Sequence, residues 1–285
     1  MTKLKYLDFK HLQLANFVLF YYGVFLFFHF NQTLFFQFQS KYISHNRDIF
    51  ELGLIALGLP NYLILHPVFF PVLDAVILLF PIVLLGYYYL KGRFSVTLGI
   101  LFAISLYIYF LLHSILVYTC LQAYTCYLLL SCLFFLNNKE PFQFVLKIVR
   151  WMFLYSLGSA GIWKIFRGAV FEPNEFSNIL IGQHAEYLRD NCTQFMCRIY
   201  FILIEFPLLS YALYLVATVI ELSFLIGFFT RRYDKWLVLL AFVFVFFDQQ
   251  VMRIAYWTML ISVIPLWFSS YLYPPASEFE KQNEV

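Results

Sequence analysis

Four ionisable residues stand within or at the rim of long apolar stretches of this 285-residue chain: Asp74, Lys164, Glu221 and Asp248. Such groups are costly in lipid and mark places where protons, ions or substrates are handled. A lysine shielded from water is a usable base, and a carboxyl group beside it can hold, pass or receive a proton. Each residue also has a plainer role. Lys164 can snorkel to the interface as an anchor, Asp248 can sit at that interface, and Glu221 can be half of an interhelical pair that only fixes packing.

The histidines are unevenly spread. His29, His45, His66, His113 and His184 all fall outside or at one end of the apolar stretches, where they could act as acid–base groups. No pair has the helical spacing of a zinc site, so no metal is expected. Cys120, Cys126 and Cys132 share one apolar stretch and read as buried fillers. Cys192 and Cys197 lie together in a polar segment and could form a local disulfide in an oxidising compartment. The chain has no Walker loop, no GxSxG, no HExxH and no dinucleotide glycine fingerprint.

The elements that must carry these residues follow from composition. Hydrophobic residues make up 62% of the chain and charged residues only 12%, with a mean hydropathy of +0.77. Soluble domains carry about 25% charged residues, so there is too little charge to cover a water-facing surface. The apolar runs are continuous rather than alternating, and in hydrocarbon only helices or closed barrels satisfy their own backbone. The expected fold is an all-α integral membrane bundle of about eight transmembrane helices. The expected spans are 13–30, 67–90, 95–113, 117–136, 144–163, 208–229, 235–248 and 255–273, with a tight hairpin around His113-Ser114. The basic N-terminal residues lead into a retained first helix rather than a cleaved signal. No interleaving of basic and aromatic residues suits nucleic acid; membrane lipids are the expected surroundings.

Lys3, Lys5, Lys10, Lys91, Arg93, Lys139, Lys147, Arg150, Arg231, Arg232, Lys235 and Lys281 fall on one side of this arrangement. That excess predicts a cytoplasmic N-terminus and C-terminus, in a plasma membrane such as the bacterial inner membrane. A single bundle over 1–275 then carries external segments 31–66 and 164–207, with a polar cytoplasmic tail at 276–285. The first external segment has a helix start near Asn46–Glu51. In the second, Glu172-Pro173-Asn174-Glu175 resembles a helix N-terminus. Phe176, Leu180, His184 and Leu188 then recur every four residues, as in a helix lying along the membrane.

The most informative stretch is Arg150 to Gly168. A basic residue opens a helix, Tyr155 follows, and Gly158, Ser159, Ala160 and Gly161 form a small-residue turn before Lys164. Small residues allow another helix to approach closely, which makes the Gly158–Gly161 face a candidate surface for a membrane partner. This segment resembles the signature of the HTTM family, the membrane domain related to vitamin K-dependent gamma-carboxylase. The resemblance covers roughly residues 95–273, including a hairpin before the segment and a long external segment after it. Glu221, Gly227, Thr230 and Arg231 likewise resemble DoxX-like membrane proteins, which are redox-associated.

The resemblance implies a quinone or similar lipid-soluble cofactor, with Lys164 as the catalytic base at the external face and Gly161, Glu221 and Asp248 around the cofactor. Two departures stand out. No histidine occupies the stretch Gln122 to Thr125, where the carboxylase family has one, and Phe247-Asp248 stands where that family has Phe-His. Full carboxylase chemistry is therefore not expected. Three functions follow: an HTTM-like protein acting on an external peptide or thiol, a non-catalytic DoxX-like accessory subunit, or a transporter. The transporter reading draws on Pro67, Pro71 and Pro81 around Asp74, but no inverted repeat accompanies them.

Overall fold

The computed structural model describes residues 6–37, 49–117, 124–190, 195–252 and 256–272. Among these residues the chain is helical, without a strand. Five stretches are long and apolar enough to cross a membrane: Tyr6–Phe30, Phe69–Lys91, Val96–Val117, Lys139–Phe166 and Pro207–Phe229. The chain divides into two compact units, Met1–Val149 and Arg150–Val285.

The first unit holds α1 (Tyr6–Phe30), the short α2 (Ile49–Ala56) and α3 (Leu59–Leu65), α4 (Phe69–Lys91), α5 (Val96–Val117), α6 (Thr125–Ser131) and the opening turns of α7 (Lys139–Phe166). Aromatic side chains fill it. Phe17, Phe102 and Phe134 meet edge to face at 5.3–6.3 Å between ring centroids. Proline inside α4 shows how local strain is absorbed. Pro81 has no N–H to give the carbonyl of Ile77. Tyr21 of α1 donates its hydroxyl to that carbonyl instead, at 2.8 Å, and Tyr22 donates to Leu78 at the same distance.

Asp74 is buried in this unit and fully engaged in holding it together. One carboxylate oxygen accepts from the Tyr109 hydroxyl at 2.7 Å and the other from the Phe36 backbone at 2.8 Å. The α4 carboxylate thus ties α5 and the turn after α1. At the far end of α4, Asn137 makes a two-point contact with Phe94, accepting from its N–H and donating to its carbonyl. Lys10 donates to the Leu136 carbonyl at 3.1 Å beside the Phe94 ring.

The second unit contains the rest of α7, then α8 (Glu175–Asp190), α9 (Phe195–Glu205), α10 (Pro207–Ser223) and the single turn α11 (Ile226–Phe229). Next come α12 (Asp234–Val251), a 3-10 stretch (Tyr256–Ser262), α13 (Val263–Trp267) and α14 (Ser269–Leu272). Phe153, Leu154 and Leu157 of α7 share a core with Phe224 and with Leu237, Val238, Ala241 and Phe244 of α12.

Several boundaries differ from the hydropathy-based expectation. Helix α5 runs unbroken through His113 and Ser114 to Val117, so no hairpin turns there. Both residues are buried; His113 stacks on Phe28 at 4.2 Å and bonds the Thr33 carbonyl. A buried polar pair with its hydrogen bonds made is compatible with a continuing helix. Helix α7 exceeds the expected span at both ends, because its amphipathic ends are helical but not apolar enough to register. The stretch expected to be the eighth span is divided between a 3-10 segment and short helices. Helix α2 begins at Ile49; the predicted start at residues 46–48 lies outside the described residues. So do His45, Cys120, Cys192 and the C-terminal tail.

Candidate functional site

The site is assembled by the small residues of α7. A β-carbon added at Gly158 would come within 2.6 Å of Leu225, and one at Gly161 within 3.0 Å of Leu222 and 3.1 Å of the Glu221 β-carbon. At Gly227 the same addition would come within 2.6 Å of Leu154. The close approach that these glycines permit is made by the chain's own α10 and α11. A partner helix on the Gly158–Gly161 face would have to displace Leu222 and Leu225. At Gly161 the atoms an added side chain would meet belong to Leu222 and Glu221.

One helical turn after Gly161, Lys164 reaches the Glu221 carboxylate. Its ammonium lies 2.9 Å from Oε1 and 2.8 Å from Oε2, so both oxygens face one cation. The same ammonium stands 4.9 Å from the centre of the Tyr214 ring, a favourable placement over an aromatic face. The Lys164 side chain is 25% exposed and that of Glu221 only 5%, so the pair is open from the lysine side. The interhelical pairing expected as one role of Glu221 is therefore present, and its partner is Lys164.

Asp248 lies within electrostatic reach of both Lys164 and Glu221. Its Oδ2 is shielded from solvent and has no hydrogen-bond partner, and the same holds for Oε1 of neighbouring Gln249. Helix α12 runs to Val251, which places Asp248 in its last turn. A buried polar atom without a partner is costly, and an acceptor oxygen left open within electrostatic reach of a cation is a ready contact for a ligand.

The helical pair α8–α9 covers the C-terminal end of α12. Tyr200 donates to the Gln250 carbonyl at 3.1 Å, and His184 donates from Nε2 to the Val251 carbonyl at 3.0 Å, with the two rings stacked 4.4 Å apart. These bonds engage carbonyls that a helix end leaves unpaired. The apolar stripe of α8 does not face lipid. Phe176 and Leu180 are buried with Tyr200, Leu203, Tyr214 and Val251, and His184 is buried as well. Periodicity alone cannot tell a membrane-facing stripe from a protein-facing one.

Sequence reasoning missed Asp234. Arg150, 1% exposed, donates to both Asp234 oxygens at 3.0 and 2.8 Å and to the Gly227 carbonyl at 2.8 Å. The available signal was a lone acid inside the basic stretch Arg231 to Lys235. Among the described residues, no group of three His, Cys, Asp or Glu side chains has the arrangement of a metal site. Cys197 is buried, and its possible partner Cys192 lies outside the described residues. Comparison with protein-family models, curated proteins and solved structures finds no match to this chain.

Proposed function

We propose that the protein is an HTTM-like integral membrane protein with about eight spans and both termini cytoplasmic. In this reading it binds a quinone or similar lipid-soluble cofactor at Lys164, Glu221 and Asp248 and acts on a peptide or thiol at the external face. The observation that carries the proposal is the Lys164–Glu221 ion pair, open on its lysine side, with the unpartnered Asp248 oxygen nearby. An ammonium has three N–H donors. One is given as a hydrogen bond to Glu221 Oε1, and the others are open to a ligand acceptor such as a ring carbonyl. Asp248 offers the complementary contact, accepting from a ring hydroxyl or donating when it carries a proton. A head with both kinds of oxygen and an apolar tail suits a site reached through lipid.

The DoxX-like accessory reading draws on a different feature of the same pair. Lys164 and Glu221 neutralise each other, and such a pair fixes α7 against α10 without a ligand. One experiment separates the readings. The protein is purified in mild detergent, and its extracted lipids are identified by absorption and mass spectrometry. The cofactor reading expects a near-stoichiometric quinone-type lipid that is lost in Lys164→Ala while the protein stays folded. Bulk phospholipid alone, with a stoichiometric protein partner, would replace that reading with the accessory one.

A further inference from the structure

The two charged clusters of the second unit are spaced identically on two helices. Arg150 and Lys164 lie fourteen residues apart on α7, and Asp234 and Asp248 lie fourteen residues apart on α12. Fourteen residues is close to four helical turns, so each pair shares a helix face about 21 Å apart along the axis. Arg150 meets Asp234 in one layer, and Lys164 lies within electrostatic reach of Asp248 in the other. Between the layers, Phe153, Leu154 and Leu157 pack with Leu237, Val238, Ala241 and Phe244. Helices α10 and α11 close the layers, α11 through the Gly227 carbonyl at Arg150 and α10 through Glu221 at Lys164.

We infer that Arg150 and Asp234 are positioning residues that set the register of α12 against α7 and so deliver Asp248 to Lys164. Apolar contacts between helices discriminate poorly among registers in lipid, where the tails are as apolar as the helix faces. A slip of one residue turns α12 by about 100°, and a slip of one turn moves it by about 5.4 Å. Either slip would carry Asp248 away from Lys164. It would also leave the Arg150 guanidinium without the carboxylate it grips at two points, and breaking a buried pair of that kind is strongly unfavourable. Specifying register is the best-attested use of a buried polar contact. Lysine cannot replace arginine here, because one ammonium cannot reproduce the planar fork that serves Asp234 and the Gly227 carbonyl together.

The inference rests on the Lys164 site being the binding site proposed above, but its test does not require a ligand. Nitroxide labels at Trp163→Cys and Phe246→Cys, both exposed positions near the Lys164 layer, report the separation of α7 and α12 by pulsed electron double resonance. The five natural cysteines are first replaced by serine, and fold is checked in that background before labelling. Arg150→Gln, Arg150→Lys and Asp234→Asn are each compared in this background after helical content and gel-filtration profile are checked. The expected result is folded protein in which the label distance broadens or gains a population displaced by roughly one helical turn. Arg150→Lys should fail to restore the native distribution.

Binding of a short-chain benzoquinone, measured in parallel, should weaken at least about tenfold, a change of about 1.4 kcal/mol. An unchanged distance distribution in the folded variants would overturn the inference, as would full rescue by Arg150→Lys. Failure of all three variants to fold would also overturn it, since the pair would then hold the fold rather than the register. A shifted distribution in a protein that binds no quinone even when unsubstituted would uphold the register role and remove the quinone reading.

Discussion

Removing Lys164 alone should damage the protein more than removing Lys164 and Glu221 together. In Lys164→Met, the Glu221 carboxylate stays 5% exposed, with its cation gone and Asp248 still nearby. An ion pair broken on one side leaves an uncompensated buried charge and costs about 3–5 kcal/mol. Glu221→Met is milder, at about 1.5–3 kcal/mol for a lost charged hydrogen bond. There the lysine retains Asp248 within reach, and its partly exposed side chain can extend toward the rim. Replacing both by methionine exchanges the pair for apolar packing of similar volume, which is close to neutral, within about 1 kcal/mol. The double variant should therefore recover most of what the first substitution loses. The five tryptophans allow thermal unfolding in detergent to be followed by intrinsic fluorescence. Lys164→Met should lower the midpoint by roughly 10 °C, and the double variant by a few degrees at most. A double variant as unstable as the two single losses combined would refute the view that these residues chiefly compensate each other.

Further outcomes follow from the same geometry and can be read in the same assay. Gly99→Ala should destabilise by about 1–3 kcal/mol, because the new β-carbon would come within 2.6 Å of the Phe134 carbonyl oxygen and 2.7 Å of the Phe135 β-carbon. Gly86→Ala, with nothing within 4 Å, is the control and should be neutral or gain up to about 1 kcal/mol. Tyr109→Phe removes the hydroxyl that Asp74 accepts at 2.7 Å and should cost about 1–3 kcal/mol, seen as a lower unfolding midpoint. Tyr214→Phe keeps the aromatic face under Lys164 and should be nearly silent. Tyr214→Leu loses that face and should weaken the site by about 0.5–2 kcal/mol, again read as unfolding midpoint.

Much of the architecture is legible in single residues and their neighbours. Continuous apolar runs with little charge leave the backbone no alternative to helices, and the structure is all-helical among its described residues, with five stretches of membrane-crossing length. Lys164, Glu221 and Asp248 stand out in the sequence because ionisable groups are expensive in such surroundings. The glycines of α7 announce a close helix approach, since only small residues permit it. All of these signals are local, and composition or spacing suffices to read them.

Partner choice is not local. Lys164 and Glu221 are 57 residues apart, and Arg150 and Asp234 are 84 apart. Which acid meets which base depends on how helices are arranged around one another, and no periodicity encodes that. For the same reason the sequence could mark the Gly158–Gly161 face as a contact surface but not show that Leu222 and Leu225 of this chain fill it. It could draw the apolar stripe of α8 but not assign it to protein rather than lipid. Composition and backbone chemistry determined the helices and the unusual charges within them; only the tertiary structure decided which charges answer one another, because that depends on contacts between segments distant in the chain.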